Sequence, residues 1–194
     1  MQIDRVLYPI STLGPGERLI IWTVGCSKHC HKCANPELWN KDPNKEIDVF
    51  DLAEMITKAI GKQAIDGVTI TGGDPVEQID ELNKLLPLLR EVTDDVLLYT
   101  GFTAQEVEMA LSKSDWETMK KHTSVLIDGA YIDDLNDNEC ALRGSLNQNI
   151  IYFDEAKKEP YSAYLKKKRK IQNAFYNEKM ISVGIHNKDL YVRR

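Results

Sequence analysis

Short apolar runs alternate with amphipathic stretches along most of this chain of 194 residues. The apolar runs have the length of buried strands, whereas the stretches between them place apolar residues at helical spacing. The predicted strands are 19–24, 67–71, 96–99, 124–127 and 149–153, and the predicted helices are 48–60, 82–89 and 104–111. Strands that alternate with helices are typical of parallel βαβ units, so the sequence predicts an α/β fold.

The predicted strands are followed by small or polar residues. The residues at the strand ends are Gly25-Cys26, Thr71 to Asp74, Thr100-Gly101 and Asp128-Gly129. In parallel α/β folds, ligands bind at the carboxyl ends of the strands, because these ends lie together on one side of the sheet. We therefore expect the functional residues at these positions.

The length of the chain suits a single domain. Its charged residues are unevenly distributed along the sequence. Residues 155–194 contain eleven Lys and Arg and four Asp and Glu, whereas residues 1–154 contain fourteen and twenty-six. The net charge of −5 therefore combines an acidic body with a basic end. Nucleic-acid binding is not expected, because the chain as a whole is acidic and shows no aromatic stacking platform.

Residues 154–194 are expected to extend the core at 1–153 without forming a second domain. The predicted elements of this extension are a basic helix and a β-hairpin, at 161–176 and at 180–185 with 189–192. The basic run Lys166 to Lys170 is interpreted either as a solvated helix face or as a docking surface for an acidic electron donor.

A membrane or secretory role is not expected. The longest apolar run, Leu19–Trp22, is far shorter than the ~18 residues that a membrane span needs. The first residues carry Asp4 and lack the apolar core of a secretory signal. These features favour a cytoplasmic protein.

Three of the four cysteines lie within eight residues of one another. Cys26, Cys30 and Cys33 follow the first predicted strand, and Cys140 lies far away along the chain. Disulfide bonds are disfavoured, because the cytosolic thiol pool keeps such pairs reduced. Thiolates are soft ligands for zinc and for iron–sulfur clusters, so the group of three predicts a metal centre.

Two kinds of metal centre are compatible with these residues. A structural zinc site needs four ligands, so His29, His31 or Cys140 would have to complete the set. A [4Fe–4S] cluster normally takes four cysteines, so three would leave one iron open to a substrate or cofactor. A zinc site would make the chain a non-catalytic interaction module, whereas a cluster with an open iron favours an enzyme.

The Cys-x3-Cys-x2-Cys loop resembles the signature of the radical S-adenosylmethionine superfamily. Within it, the chain most resembles the activating enzymes of glycyl radical enzymes, in particular those of anaerobic ribonucleoside-triphosphate reductases. The similar segments, which lie between about residues 6 and 153, are Gly14-Pro-Gly-Glu-Arg18, Asn35-Pro36, Thr71-Gly-Gly-Asp-Pro75, Tyr99-Thr-Gly-Phe102, Ile127-Asp-Gly129 and Leu142-Arg-Gly-Ser-Leu-Asn-Gln148.

The resemblance implies a partial (βα) barrel with one [4Fe–4S] cluster that binds S-adenosylmethionine. A one-electron donor, such as flavodoxin or ferredoxin, would reduce the cluster. Cleavage of S-adenosylmethionine would give a 5′-deoxyadenosyl radical, which takes a hydrogen atom from a glycine of an anaerobic ribonucleotide reductase. The alternative within the superfamily is an enzyme that acts on another glycyl radical enzyme, a peptide or a small molecule.

The resemblance also assigns roles to residues of the cysteine loop. Cys26, Cys30 and Cys33 would hold the cluster and thereby be the catalytic residues. Lys32, Cys33 and Ala34 would contact S-adenosylmethionine. Lys32 stands where the superfamily often has an aromatic residue, and its family role is mainly a backbone contact with the adenine.

Further cofactor contacts are implied at the ends of later strands. Gly72 and Gly73 allow a ligand to approach the backbone closely, because they have no Cβ. Asp74 would accept a hydrogen bond from the methionine ammonium group. Ordinary turn, helix-capping and strand-end roles compete with cofactor binding at the remaining candidates, which are Thr100, Asp128 and Asn147.

Overall fold

The computed structural model describes residues 1–61 and 64–188. The strands are β1 (Ile3–Ile10), β2 (Arg18–Thr23), β3 (Gly67–Gly72), β4 (Val96–Tyr99), β5 (Val125–Asp128), β6 (Asn149–Tyr152), β7 (Gln172–Tyr176) and β8 (Lys179–Val183). The α-helices are α1 (Val49–Ile60), α2 (Ile79–Leu89), α3 (Ala104–Ala110), α4 (Lys113–His122) and α5 (Lys158–Leu165). None of the helices among the described residues has the length and apolar character of a membrane span.

The first six strands form one sheet in chain order, β1-β2-β3-β4-β5-β6. Strands β2 to β5 are parallel, and β1 and β6 pair antiparallel with their neighbours at the two edges. The predicted α/β fold with parallel central strands is confirmed. The sequence did not predict β1, and it predicted β6 as a strand without assigning its direction. Because the connection 129–148 holds only the 3-10 turn Asp133–Leu135, β6 returns antiparallel without a crossover helix.

The central strands are buried on both faces. Leu19 and Ile21 of β2 pack with the helices, whereas Ile20 and Trp22 pack with the C-terminal extension. A strand covered on both sides is apolar at successive positions, which accounts for the unbroken run in β2. The predicted helix boundary at Gly61 is confirmed, since Gly61 caps α1 at a φ of 61°. Helix α2 continues through Pro87 to Leu89, the predicted end of this helix.

The extension differs from its predicted form. Helix α5 ends at Leu165, so the helix expected over 161–176 is wrong beyond that residue. Strand β8 pairs with β7, and the expected partner segment 189–192 lies outside the described residues. Asn177 and Glu178 both have positive φ, the conformation of a two-residue hairpin turn, which explains why the chain reverses there.

The extension packs against the core. Tyr161 and Tyr164 of α5 are buried beside β4 and β5, and Val183 of β8 is buried beside β1 and β2. The basic run was expected on a helix face, but it follows the end of α5 at Leu165. The exposed lysines of the basic run instead lie in the connection between α5 and β7.

A buried ion pair joins the beginnings of the central strands. Arg18 is completely buried, and its Nη1 lies 2.8 Å from Oδ2 of Asp95, just before β4. The guanidinium also donates to Oγ1 of Thr69 at 2.8 Å and to the Val68 carbonyl at 2.8 Å. Tyr161 donates to Oδ1 of Asp95 at 2.8 Å, so α5 belongs to the same network.

Replacing Asp95 with Asn should destabilise the protein by about 3 kcal/mol or more, because it leaves Arg18 charged and unpaired in a buried site. Urea unfolding measures the effect, and Glu54→Gln is the control. Glu54 pairs with Lys58 on the exposed surface of α1, where an ion pair contributes about 0.5 kcal/mol or less. Equal losses in the two variants would contradict the structural role of Asp95.

Candidate functional site

The cysteine loop leaves the carboxyl end of β2 and is held against the turn that follows it. The backbone N–H of Gly25 donates to Leu38 at 2.8 Å, and that of Cys26 donates to Trp39 at 2.9 Å. His29 stacks on Trp39 with ring centroids 4.8 Å apart. His29 therefore has a packing partner within the loop, although it remains exposed to solvent.

The three cysteines of the loop line one cleft with the ends of β3, β4 and β5. All four cysteines of the chain are free thiols. Cys140 is not among the described residues that line the cleft. Burial raises the pKa of the Cys26 thiol to about 11 and also raises the pKa of Cys30. These thiols are therefore protonated at neutral pH, and binding of iron must displace their protons.

The end of β3 forms the floor next to the cysteines. Gly72 has a φ of 109°, and a Cβ there would lie 2.6 Å from the backbone nitrogen of Thr23. The backbone N–H of Gly73 donates to Thr23 at 2.8 Å, and that of Asp74 donates to Gly25 at 2.7 Å. Gly72 and Gly73 thus allow β3 to end directly against the start of the cysteine loop.

Asp74 joins the ends of β3 and β4. Its buried carboxylate accepts hydrogen bonds from Oγ1 of Thr100 at 2.9 Å, from the backbone N–H of Gly101 at 2.8 Å and from that of Val76 at 3.1 Å. Burial raises the pKa of Asp74 to about 6. The Asp74 carboxylate, which was predicted to bind the methionine ammonium group, therefore already accepts hydrogen bonds from three groups of the protein. These bonds hold Thr100 and Gly101 at the cleft.

The structure brings some predicted cofactor residues together and not others. Lys32 and Ala34 line the cleft, as do Gly72, Gly73, Asp74 and Thr100. The Lys32 side chain reaches across to Asp133, with Nζ 2.7 Å from Oδ2.

Asp128 and Asn147 are not among the described residues that line the cleft, and their contact with the cofactor stays a prediction. Asp128 accepts from the backbone N–H of Ala104 at 2.7 Å and from the Asn149 side chain at 2.8 Å. Asn147 donates to the Ala130 carbonyl at 2.7 Å. Asp128 connects α3, β5 and β6, whereas Asn147 connects the two ends of the segment between β5 and β6. These are the turn and strand-end roles that the sequence also allowed.

Several residues of the cleft were not predicted from the sequence. Arg5 and Trp22 come from β1 and β2, and Arg5 lies 4.9 Å from the Trp22 ring centroid. Tyr131 and Gln148 come from the connection before β6, and residues 181–186 come from the extension. Gln148 belongs to the segment 142–148 that the resemblance had singled out, although no role was assigned to it. No residue pattern distinguishes the others, because tertiary packing alone brings them to the cleft.

The chain matches one described family. Residues 12–151 match the family described as "4Fe-4S single cluster domain". The pyruvate formate-lyase-activating enzyme of Staphylococcus aureus strain USA300 is 33% identical over 144 residues, or 72% of this chain and 56% of the relative, and the same holds for strain NCTC 8325. The chain therefore spans little more than half the length of these relatives. The crystal structure of QueE from Escherichia coli aligns with a TM-score of 0.42 and 23% identity over 53% of each chain.

The donor set fits a [4Fe–4S] cluster. Cys26, Cys30 and Cys33 provide three soft thiol ligands that face one cleft, and they are not consumed by disulfides. Within the described residues, no group of three His, Cys, Asp or Glu side chains is arranged to hold a single metal ion.

Replacing Cys30 with Ala should abolish the iron–sulfide absorbance after anaerobic reconstitution, because one of the three ligands is lost. Cys140→Ala is the matched control and should retain the full absorbance and iron content. An intact cluster in the Cys30 variant would exclude Cys30 as a ligand.

Asp74→Asn should change how stability depends on pH in the cluster-free protein. The pKa of Asp74 is raised from 3.8 to about 6, so the folded state binds a proton more tightly than the unfolded state. The stability contributed by Asp74 is therefore lost as pH rises from about 4 to about 6, by at most about 1.4 kcal/mol per pH unit. Urea unfolding over this range should show the wild type losing stability relative to the variant. Parallel pH profiles would contradict the raised pKa.

Proposed function

Because this chain belongs to the family of 4Fe-4S single cluster domains, we propose that it is a radical S-adenosylmethionine enzyme that activates a glycyl radical enzyme. The observation that carries the proposal is the cleft itself, which holds three cysteine thiols at the ends of parallel strands. Three thiolates leave one iron of a [4Fe–4S] cluster without a protein ligand. That open iron is where S-adenosylmethionine would bind.

The cluster and S-adenosylmethionine, when bound, supply the 5′-deoxyadenosyl radical that removes a hydrogen atom from a glycine Cα. The residues of the chain position the reactants and exclude water. The backbone at Gly72 and Gly73 lines the cleft and would contact the methionine part, and Asp74 keeps Thr100 and Gly101 in place beside it. Trp22 and Trp39 provide apolar walls near the cysteines.

Two glycyl radical enzymes are candidates for the partner. The block Arg143-Gly-Ser-Leu-Asn-Gln148 favours an anaerobic ribonucleotide reductase, by resemblance to the activating proteins of those enzymes. The matched relatives are named pyruvate formate-lyase-activating enzymes, which favours pyruvate formate-lyase as the second candidate. The relatives are 33% identical, so the name alone does not decide between the two.

The proposal includes a one-electron donor such as flavodoxin or ferredoxin and a cytoplasmic location. Lys166, Lys167 and Lys168 are exposed next to one another and would attract an acidic donor. The four free cysteines fit a reducing compartment.

After anaerobic reconstitution with iron and sulfide, the reduced protein should convert S-adenosylmethionine to 5′-deoxyadenosine and methionine without any partner. Liquid chromatography measures both products, and Cys30→Ala is the inactive control. Absence of 5′-deoxyadenosine from protein with a reduced cluster would reject the function. Zinc without iron or sulfide in anaerobically prepared protein would instead indicate a non-catalytic zinc-binding module.

The same mixture identifies the partner. Anaerobic ribonucleotide reductase and pyruvate formate-lyase are added in separate reactions, and electron paramagnetic resonance detects the glycyl radical. A radical on the reductase alone supports the first candidate, and a radical on the lyase alone supports the second. A radical on neither protein, despite 5′-deoxyadenosine formation, would favour another substrate such as a peptide or a small molecule.

A further inference from the structure

Part of the cleft wall lies outside the segment that matches the family. The family match ends at residue 151, but residues 181–186, at the end of β8 and just beyond it, line the same cleft as Cys26, Cys30 and Cys33. The extension therefore contributes to the site and does not simply follow the core along the chain.

Arg169 joins this wall to the segment between β5 and β6. Its side chain is 4% exposed, although it lies in the basic run whose lysines are exposed. Nε donates to the Cys140 carbonyl at 2.9 Å, and Nη2 donates to the Arg143 carbonyl at 3.0 Å. Nη1 donates to the His186 carbonyl at 3.0 Å. One guanidinium thus binds the backbone of two segments that are far apart in the sequence.

The first of these segments continues directly into the cleft. Oε1 of Gln148 accepts from the backbone N–H of Gly144 at 2.8 Å, and Nε2 of Gln148 donates to the Gly129 carbonyl at 2.9 Å. Gly129, Gly144 and Gln148 all line the cleft. Because Gly144 follows Arg143 in the chain, a shift at Arg169 would be passed to this wall.

The second segment, at the end of β8, packs closely against the backbone next to Arg169. Gly184 has a φ of 140°, and a Cβ there would lie 2.4 Å from the carbonyl oxygen of Lys170, the residue after Arg169. Oγ1 of Thr12 also donates to the Val183 carbonyl at 2.9 Å. The end of β8 is therefore held between Thr12 on the core and the backbone that carries Arg169.

We propose that Arg169 is a positioning residue that holds these two walls of the cleft in register and so sets the affinity of the cleft for S-adenosylmethionine. This inference rests on the proposed function for the identity of the ligand. Arginine suits the role because its planar guanidinium presents five donors in a fixed fork. Lysine has a single ammonium on a flexible stem and cannot replace all of these contacts. Asp137, with Oδ1 3.4 Å from Nη2, provides the neighbouring opposite charge.

Arg169→Lys tests the proposal, with Lys168→Ala as a control that removes an exposed charge from the same run. Binding of S-adenosylmethionine to the reconstituted, unreduced protein is measured by isothermal titration calorimetry, so no turnover is needed. We expect at least tenfold weaker binding in Arg169→Lys, wild-type binding in Lys168→Ala, and unchanged cluster absorbance in both. Wild-type affinity in a folded Arg169→Lys variant, or loss of the cluster together with affinity, would overturn the proposal.

Gly184→Ala is the second variant, should Arg169→Lys fail to fold. The added methyl group forces apart the end of β8 and the backbone at Lys170 while the Arg169 side chain is kept, and we expect a similar loss of affinity with the cluster retained. Unchanged affinity in this variant would also overturn the proposal.

Hydrogen–deuterium exchange gives a measurement that needs no ligand. In Arg169→Lys, exchange should rise in peptides covering 136–148 and 181–186 and stay unchanged in the helices α1 and α2. Failure of the wild type to bind S-adenosylmethionine would reject the proposed function, whereas unchanged exchange in the variant would reject the anchoring role of Arg169 itself.

Discussion

The ion pair between Arg18 and Asp95 is the interaction on which the arrangement of the central strands depends. A fully buried guanidinium is tolerated only when its charge is paired and its donors are satisfied. Arg18 meets these demands with the backbone of β3, the carboxylate before β4 and, through Asp95, the hydroxyl of Tyr161 on α5. Because these contacts fix where β2, β3 and β4 begin, they also fix which residues stand at the opposite ends of the strands.

The candidate site lies at those opposite ends of the strands, and the charged side chains there have a different role from the buried ion pair. Asp74 and Asp128 follow or end parallel strands, where a carboxylate in a sequence invites a ligand-binding interpretation. The structure uses both to tie neighbouring segments together through backbone N–H groups and polar side chains. In the proposed function the chemistry is left to the three thiols, since thiolates bind iron, and to the glycine backbone that lines the cleft beside them.

Much of the core was predictable because its signals are local. The apolar run of β2, the helical spacing of α1 with Gly61 at its end, and the cysteine spacing each depend on residues close together in the chain. Strand β1 was missed because it is an edge strand that is mostly half-buried, so its apolar residues follow no clear period. The hairpin β7–β8 was misplaced because its turn, Asn177-Glu178, contains no glycine although both residues adopt positive φ.

The sequence by itself determined the α/β class, the cysteine loop after the first parallel strand and the meeting of four strand ends at one site. These follow from periodicity and from the rule that parallel strands place their carboxyl ends together. Only the tertiary structure decided that the basic extension covers the second face of the sheet and completes the cleft. The reason is that Arg169, Tyr161 and Val183 have partners between 29 and 171 residues away, and contacts at such separations leave no period in the sequence.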